Sequence, residues 1–311
     1  LSRGGLGRRW GRLALGLLIL FLAACEAGDT RAVTVVGTPD SPRLRQLVAG
    51  LEEGLAPRRL EVVTLPPYGE EGPGTLRRLR AARPPLFIVL GTPVLMMLAP
   101  MEKRLPIVFA MVGNPYFSDA AWDPHRPGFH QRNVTGLASP PPVAPALKQG
   151  TALFGPRPWG LLFDPLDGAA LEVSQAFERT ARELGLPAVM AQASGPEEDR
   201  EALGRLLDQG AKVLYLPPAS TTARYAAAVL RLGQERRVMV VNGHPEISGP
   251  GAILTVTLDY EALGREAAAL ARRVLAGESP AGIPLQETQP LRMQVDEALL
   301  RHWAGYPAPG R

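Results

Sequence analysis

Short apolar runs rich in branched residues alternate with helix-period segments along almost the whole chain. Residues 32–37 (AVTVVG), 60–65 (LEVVTL), 86–90 (LFIVL) and 106–112 (PIVFAMV) read as strands, with a helix over about 44–55 after the first. These runs are apolar at consecutive positions rather than at every second one, the pattern of parallel strands covered on both faces. Residues 66–74 and 115–132 read as surface loops. Ser139-Pro140-Pro141-Pro142 then interrupts the pattern and marks a boundary.

Beyond the prolines the alternation restarts. Residues 159–163 (WGLLF) predict a strand, and the next helix places Ala170, Val173, Phe177, Ala181 and Leu184 on one face at spacings of three and four. Strands follow at 186–191, 213–216, 237–241 and 252–257, with helices over about 199–207 and 221–232 between them. A last helix turns Leu263, Ala267, Leu270 and Val274 inward, and a strand near 285–291 ends the series. Two successive runs of alternating strands and helices predict an α/β protein of two lobes with parallel sheets.

The first twenty-five residues stand apart. Arg3, Arg8, Arg9 and Arg12 precede an apolar run, Leu13 to Leu22, that leads into Cys25, the one cysteine of the chain. A bilayer core needs roughly 20 apolar residues, so 1–24 read as an export signal rather than a spanning helix. Leu22-Ala23-Ala24-Cys25 resembles the bacterial lipobox, whose cysteine is acylated and becomes the first mature residue. That resemblance implies a protein lipid-anchored in the cell envelope through Cys25 and facing the periplasm or the exterior. It also changes the charge. The full chain has 34 basic and 30 acidic side chains, and residues 1–24 hold four of the arginines and none of the acids. The mature chain is neutral, which removes the electrostatic case for nucleic acid as a partner.

Catalytic signatures are missing. There is no G-x-S-x-G elbow, no H-E-x-x-H, no Walker-type loop and no dinucleotide fingerprint after the first strand. His125 and His130 share a loop with Asp123, but their spacing demands no metal. The expectation is a protein that is not an enzyme and has no cofactor.

In open parallel sheets, ligands bind outside the carboxyl ends of the strands, where helix N-termini offer unpaired N–H groups. Those positions here are Gly37-Thr38-Pro39, Gly91-Thr92-Pro93, Gly113-Asn114-Pro115-Tyr116, Asp164-Pro165-Leu166-Asp167, the loop from Pro217 to Thr221, and Asn242-Gly243-His244-Pro245. Thr92 and Ser220 could cap the next helix or turn a hydroxyl to a ligand. Tyr116 could stack on a planar ligand group or lie idle on the surface.

Several stretches carry a resemblance. Residues 106–115 (PIVFAMVGNP) resemble the "IPIVFA-V-DP" segment of the ABC-transporter substrate-binding lipoproteins, the family that includes tryptophan- and tyrosine-binding members. Arg126-Pro127-Gly128 and Asn133-Val134-Thr135-Gly136 are similar to its "RPGGN-TG" signature, with residues inserted. Residues 160–165 (GLLFDP), 213–218 (VLYLPP), 258–265 (LDYEALGR) and 276–280 (AGESP) follow in the family's order. The likeness spans about 86–295. It implies a type I periplasmic-binding-protein fold: two Rossmann-like lobes joined by a three-crossover hinge, a monomer closing on a small organic solute for an ABC permease. Lobe 1 would hold 31–138 plus 259–282, and lobe 2 would hold 139–258 plus 283–311. Carried over by position, Thr92 and Asn114 would contact ligand from lobe 1, and Asp164, Asp167 and Ser220 from lobe 2. Asn242 would lie at the cleft edge, and Thr38 and Tyr116 complete the set of candidate contacts. Asp259 would cap the returning helix. Two family carboxylates are replaced: Asn114 stands for the acid of "DP", and Ala219-Ser220 for the end of "PPDN". Their loss weakens the case for an α-amino group in the solute, whose ammonium would need a partner once desolvated. Two further readings share the fold: a ligand sensor acting on a kinase, and an envelope scaffold acting on a cell-wall enzyme.

Overall fold

A computed structural model describes residues 31–38, 41–65, 71–235 and 237–303. The expected export signal and the Cys25 anchor lie outside the described residues. The described residues form two six-stranded sheets. In the first, strands β1 (Val33–Gly37), β2 (Leu60–Thr64), β3 (Phe87–Leu90), β4 (Ile107–Val112), β5 (Val134–Ala138) and β11 (Gln286–Glu287) are all parallel, in the order β11-β5-β4-β3-β1-β2. In the second the order is β12-β10-β9-β8-β6-β7, from β6 (Trp159–Phe163), β7 (Ala188–Gln192), β8 (Val213–Leu216), β9 (Met239–Asn242), β10 (Leu254–Leu258) and β12 (Leu291–Val295). This sheet is parallel except at its edge, where β12 runs antiparallel to β10.

Helices cover both faces of each sheet, which is why the strands are apolar at consecutive positions. In the first lobe Val33, Val35, Ile88 and Val108 pack under α1 (Pro42–Leu55) and α8 (Tyr260–Leu275). Their neighbours Val36, Phe87, Val89 and Phe109 face the other way, under α2 (Glu71–Ala81) and α3 (Thr92–Met101). The second lobe repeats the plan. Helices α4 (Val143–Phe154), α5 (Gly168–Glu183) and α9 (Glu297–His302) cover one face, and α6 (Pro196–Asp208) and α7 (Ala223–Gln234) the other.

Helix α8 returns from the second lobe and is seated on α1 at glycines. A Cβ on Gly264 would lie 2.2 Å from the Leu47 carbonyl oxygen, and one on Gly50 would lie 2.1 Å from that of Glu261. The two backbones are in contact, and no side chain fits between them. Asp259 caps α8 by accepting the Ala262 N–H at 3.0 Å, in the role the sequence implied.

Three crossovers join the lobes, at β5–α4, β10–α8 and β11–β12. They are tied to one another. The Asp259 N–H donates to the Pro290 carbonyl at 2.7 Å, the Thr288 N–H to Ala138 at 2.9 Å, and the Gln289 side chain to Pro140 at 3.0 Å.

Four expectations need correction. Residues 283–287, placed in lobe 2 on sequence, belong to the first lobe, because Ile283 and Leu285 enter its two core clusters and β11 pairs with β5. The single strand expected near 285–291 is two strands in different sheets. Glu71 to Gly74, read as loop, open α2. The segment 115–132 is not simply a surface loop: it contains a turn of 3-10 helix at Pro115–Phe117 and an Ala121–His130 bridge, and it buries Ala120, Ala121, His130 and Gln131.

Gly264→Ala should destabilise the fold by about 1–3 kcal/mol in urea denaturation, because the added methyl meets backbone that cannot give. Gly204→Ala, in open space on α6, should instead be neutral or stabilise by about 0.5–1 kcal/mol.

Candidate functional site

The carboxyl ends of the two sheets face a common cleft, but most of the strand-end polar groups are already engaged with one another. The Asp164 carboxylate, after β6, accepts the Leu166 N–H at 2.9 Å, the Arg224 guanidinium at 2.9 Å and the Ser194 hydroxyl at 3.3 Å. Arg224 also grips Asp199, at 2.7 and 3.0 Å, and the Ala193 carbonyl at 2.9 Å. Burial pushes the Asp164 carboxyl up, but the Leu166 amide, Arg224 and Ser194 outweigh it and hold the group below the ordinary aspartate value of 3.8.

Asp167 is a hub of the same kind. One oxygen caps α5 through the Ala169 and Ala170 amides, and the other accepts the Ser220 hydroxyl at 2.7 Å and the Thr221 hydroxyl at 3.1 Å. Burial raises this carboxyl too, and these donors lower it by more. Asn242 spends its amide on its own turn: its oxygen takes the His244 N–H at 2.9 Å, and its nitrogen reaches the Ile247 carbonyl at 2.8 Å. Asp164, Asp167, Ser220 and Asn242 therefore brace the loops of lobe 2.

In lobe 1, Thr38 follows β1 and Thr92 opens the helix after β3, with the Thr38 methyl 3.6 Å from where a Cβ on Gly91 would be. Gly91, at φ 95°, makes the left-handed turn that starts α3. Asn114 accepts the Tyr116 N–H at 2.9 Å and so shapes the turn after β4. Tyr116 is half-buried against the first lobe's core. Burial raises its hydroxyl, as do the negative charges of Glu287 and Asp123.

Two adjoining cavities open where this turn meets the start of α5 from the other lobe. The larger, about 660 Å³, is lined by Asn114, Phe117, Gly168, Leu171, Glu172 and Gln175, among others. The smaller, about 470 Å³, is lined by Asn114, Tyr116, Pro124 and Glu172 with residues of β11. Asn114, Pro140, Glu172 and Glu287 border both. Of the eight predicted contacts, Asn114 and Tyr116 line this space. Asn242 lines a separate cavity of about 490 Å³ near the hinge, together with Gln46 and Tyr260. Thr38, Thr92, Asp164, Asp167 and Ser220 border neither cavity at the meeting of the lobes.

Glu172, Glu287 and Phe117 were missed on sequence. Phe117, 69% exposed, had a signal: a large apolar side chain one residue after a candidate contact. Glu172 had one as well, since it falls off the buried stripe of α5, one turn past the Asp167 cap. A second link crosses the cleft. Arg43, at the start of α1, pairs with Glu246 of lobe 2 at 2.8 Å, and His244 beside them is held below its ordinary value by burial and by Arg43. Among the described residues no cluster of His, Cys, Asp or Glu could hold a metal ion.

Arg224→Met should cost about 3 kcal/mol at neutral pH, because it strands two buried carboxylates. The folded-state value of Asp164 is depressed, so its contribution is present above about pH 4 and lost as pH falls through that value. The gap between wild type and variant in urea denaturation should narrow on acidification below about pH 4.

The fold has close counterparts among solved structures. A conserved domain protein from Vibrio cholerae is 20% identical with a TM-score of 0.68, covering 90% of this chain and 96% of that one. An ABC domain in complex with L-Trp from Streptococcus pneumonia is 19% identical with a TM-score of 0.66, covering 87% and 94%. The ligand-free, open structure of a substrate binding protein with adhesive properties from Clostridium difficile is 18% identical with a TM-score of 0.73, covering 90% and 96%. At these identities the likeness establishes the two-lobed fold. No curated protein matches the sequence. Residues 36–302 match the family model described as ABC transporter substrate binding protein, and the chain belongs to that family.

Proposed function

We propose that this chain is an extracytoplasmic lipoprotein that captures a small organic solute between its lobes and presents it to an ABC permease. The observation that carries the reading is the cavity between the turn after β4 and the start of α5, with walls drawn from both lobes and from the crossover at Pro140. A ligand held there touches both lobes at once, so binding favours the arrangement in which they meet. The strand-end loops of lobe 2 support the reading by being braced before any ligand arrives, which keeps the ordering cost of capture low. The extracytoplasmic setting follows the family, and no described helix is long and apolar enough to cross a membrane. Cys25 would supply the anchor. The family is one of binding proteins, and the chemistry required of the cleft is recognition without bond making.

The Arg43–Glu246 pair supports closure from the other side of the cleft. Both side chains are partly exposed, so the pair contributes about 1 kcal/mol or less.

Mass spectrometry of small molecules released from the purified protein, with a thermal-shift screen of amino acids, nucleosides, sugars and organic acids, tests capture directly. A bound or stabilising solute is expected. A protein that is empty and stabilised by nothing would favour the envelope scaffold instead. With a solute in hand, Arg43→Ala should weaken apparent affinity up to about fivefold by calorimetry while leaving the melting temperature of the free protein within a few degrees.

A further inference from the structure

Among the described residues, the acidic groups that are withdrawn from water are paired, with one exception. Glu102 holds Arg80 and the amides of Arg104 and Leu105. Asp164 and Asp199 share Arg224, and Asp167 holds two hydroxyls. Glu172 is half-buried and has no hydrogen-bond or ion-pair partner among the described residues. Its place is also unusual. It rises from α5 of lobe 2, yet its carboxylate oxygens lie 3.8 and 3.9 Å from where a Cβ on Gly113 of lobe 1 would be. It therefore spans the cleft rather than lining one wall.

The second carboxylate bordering both cavities is Glu287 of β11, close enough to Tyr116 to raise the phenol. Basic groups are scarce there. Among the described residues no Lys or Arg borders the smaller cavity, and the larger has Arg179 alone, exposed and seven residues along α5 from Glu172. Seven residues of helix rise about 10 Å, which separates Arg179 from Glu172 along the space.

Resting on the solute-capture reading, we infer that the cleft selects solutes that carry a positively charged nitrogen, seated between Glu172 and Glu287 beside Asn114 and Tyr116. Closing on a neutral or anionic solute would leave Glu172 desolvated and unpaired, a cost that a cation offsets. Tyr116 adds an aromatic face for the same charge, and Phe117 and Leu171 give the larger cavity apolar walls for the body of the solute. The carboxylates thus come from α5 and β11, not from the strand-end positions at which the family's acids are replaced by Asn114 and Ala219-Ser220.

The test compares cations with neutral isosteres of the same shape: choline against 3,3-dimethylbutanol, phenethylamine against 2-phenylethanol, and cadaverine against 1,5-pentanediol. Each is titrated into the full-length protein by calorimetry. At least one cation should bind tenfold or more tightly than its isostere. Glu172→Gln should erase that preference, and Glu287→Gln should reduce it. Circular dichroism and the melting temperature of ligand-free Glu172→Gln should match wild type or show slight stabilisation, because an unpaired charge has been removed. Equal binding of cations and isosteres, no binding of any cation, or a preference that survives Glu172→Gln would each overturn the inference. A neutral or anionic solute released from the purified protein would overturn it too, while leaving solute capture intact.

Discussion

The contact between α1 and α8 is the constraint on which the rest of the molecule depends. Lobe 1 cannot be completed from one continuous stretch of chain. Its sheet and α1 come from the first part, but the helix that seals the face of Val33, Val35, Ile88 and Val108 returns only after β6 to β10 of lobe 2 have been laid down. Gly50 and Gly264 let the two helices touch at backbone distance, and so set the depth at which α8 sits. The crossover feeding α8 and the one that leaves through β11 inherit their positions from that seat. Arg43 belongs to the first turn of α1, so the cross-cleft pair with Glu246 is placed by the same packing.

A second principle divides the polar groups of the cleft region. Those at the strand ends of lobe 2 are consumed internally. Asp164, Asp167, Ser220 and Asn242 hold one another, Arg224 and the loop amides, and each is better read as a brace than as a free hand. The carboxylates of Glu172 in α5 and Glu287 in β11 are left open, with no hydrogen-bond or ion-pair partner among the described residues. The braced groups of the cleft region and its open ones thus come from different elements.

The two-lobe architecture was legible because its signal is redundant. A parallel sheet needs apolar residues on consecutive positions, and ten such runs in two series leave few alternatives. Elements without a periodic signature were not legible. Helix α3 (TPVLMMLAPM) is apolar nearly all round and so shows no stripe, and β5 (VTGLA) is short and interrupted by Gly136. The boundary at 282 failed because a two-residue strand such as β11 carries no pattern at all. At the site, strand-end logic found Asn114 and Tyr116. It also selected Asp164 and Asp167, whose partners Arg224 and Thr221 lie 60 and 54 residues away. Sequence proximity cannot reveal that a carboxylate is already taken by a distant arginine, and a glutamate on a helix looks solvated until the opposite lobe is in place.

The cross-tied crossovers set how the molecule can move. Three independent strands between two bodies would behave like loose cords and allow bending, twisting and sliding. Here the first and third are joined through Gln289–Pro140 and Thr288–Ala138, and the second and third through Asp259–Pro290. Linked side by side, they act as a strip, which flexes easily across its width and resists torsion along its length. Such a strip would confine any opening to one arc. A membrane partner docking across both rims would therefore read the state of the cleft as a single angle.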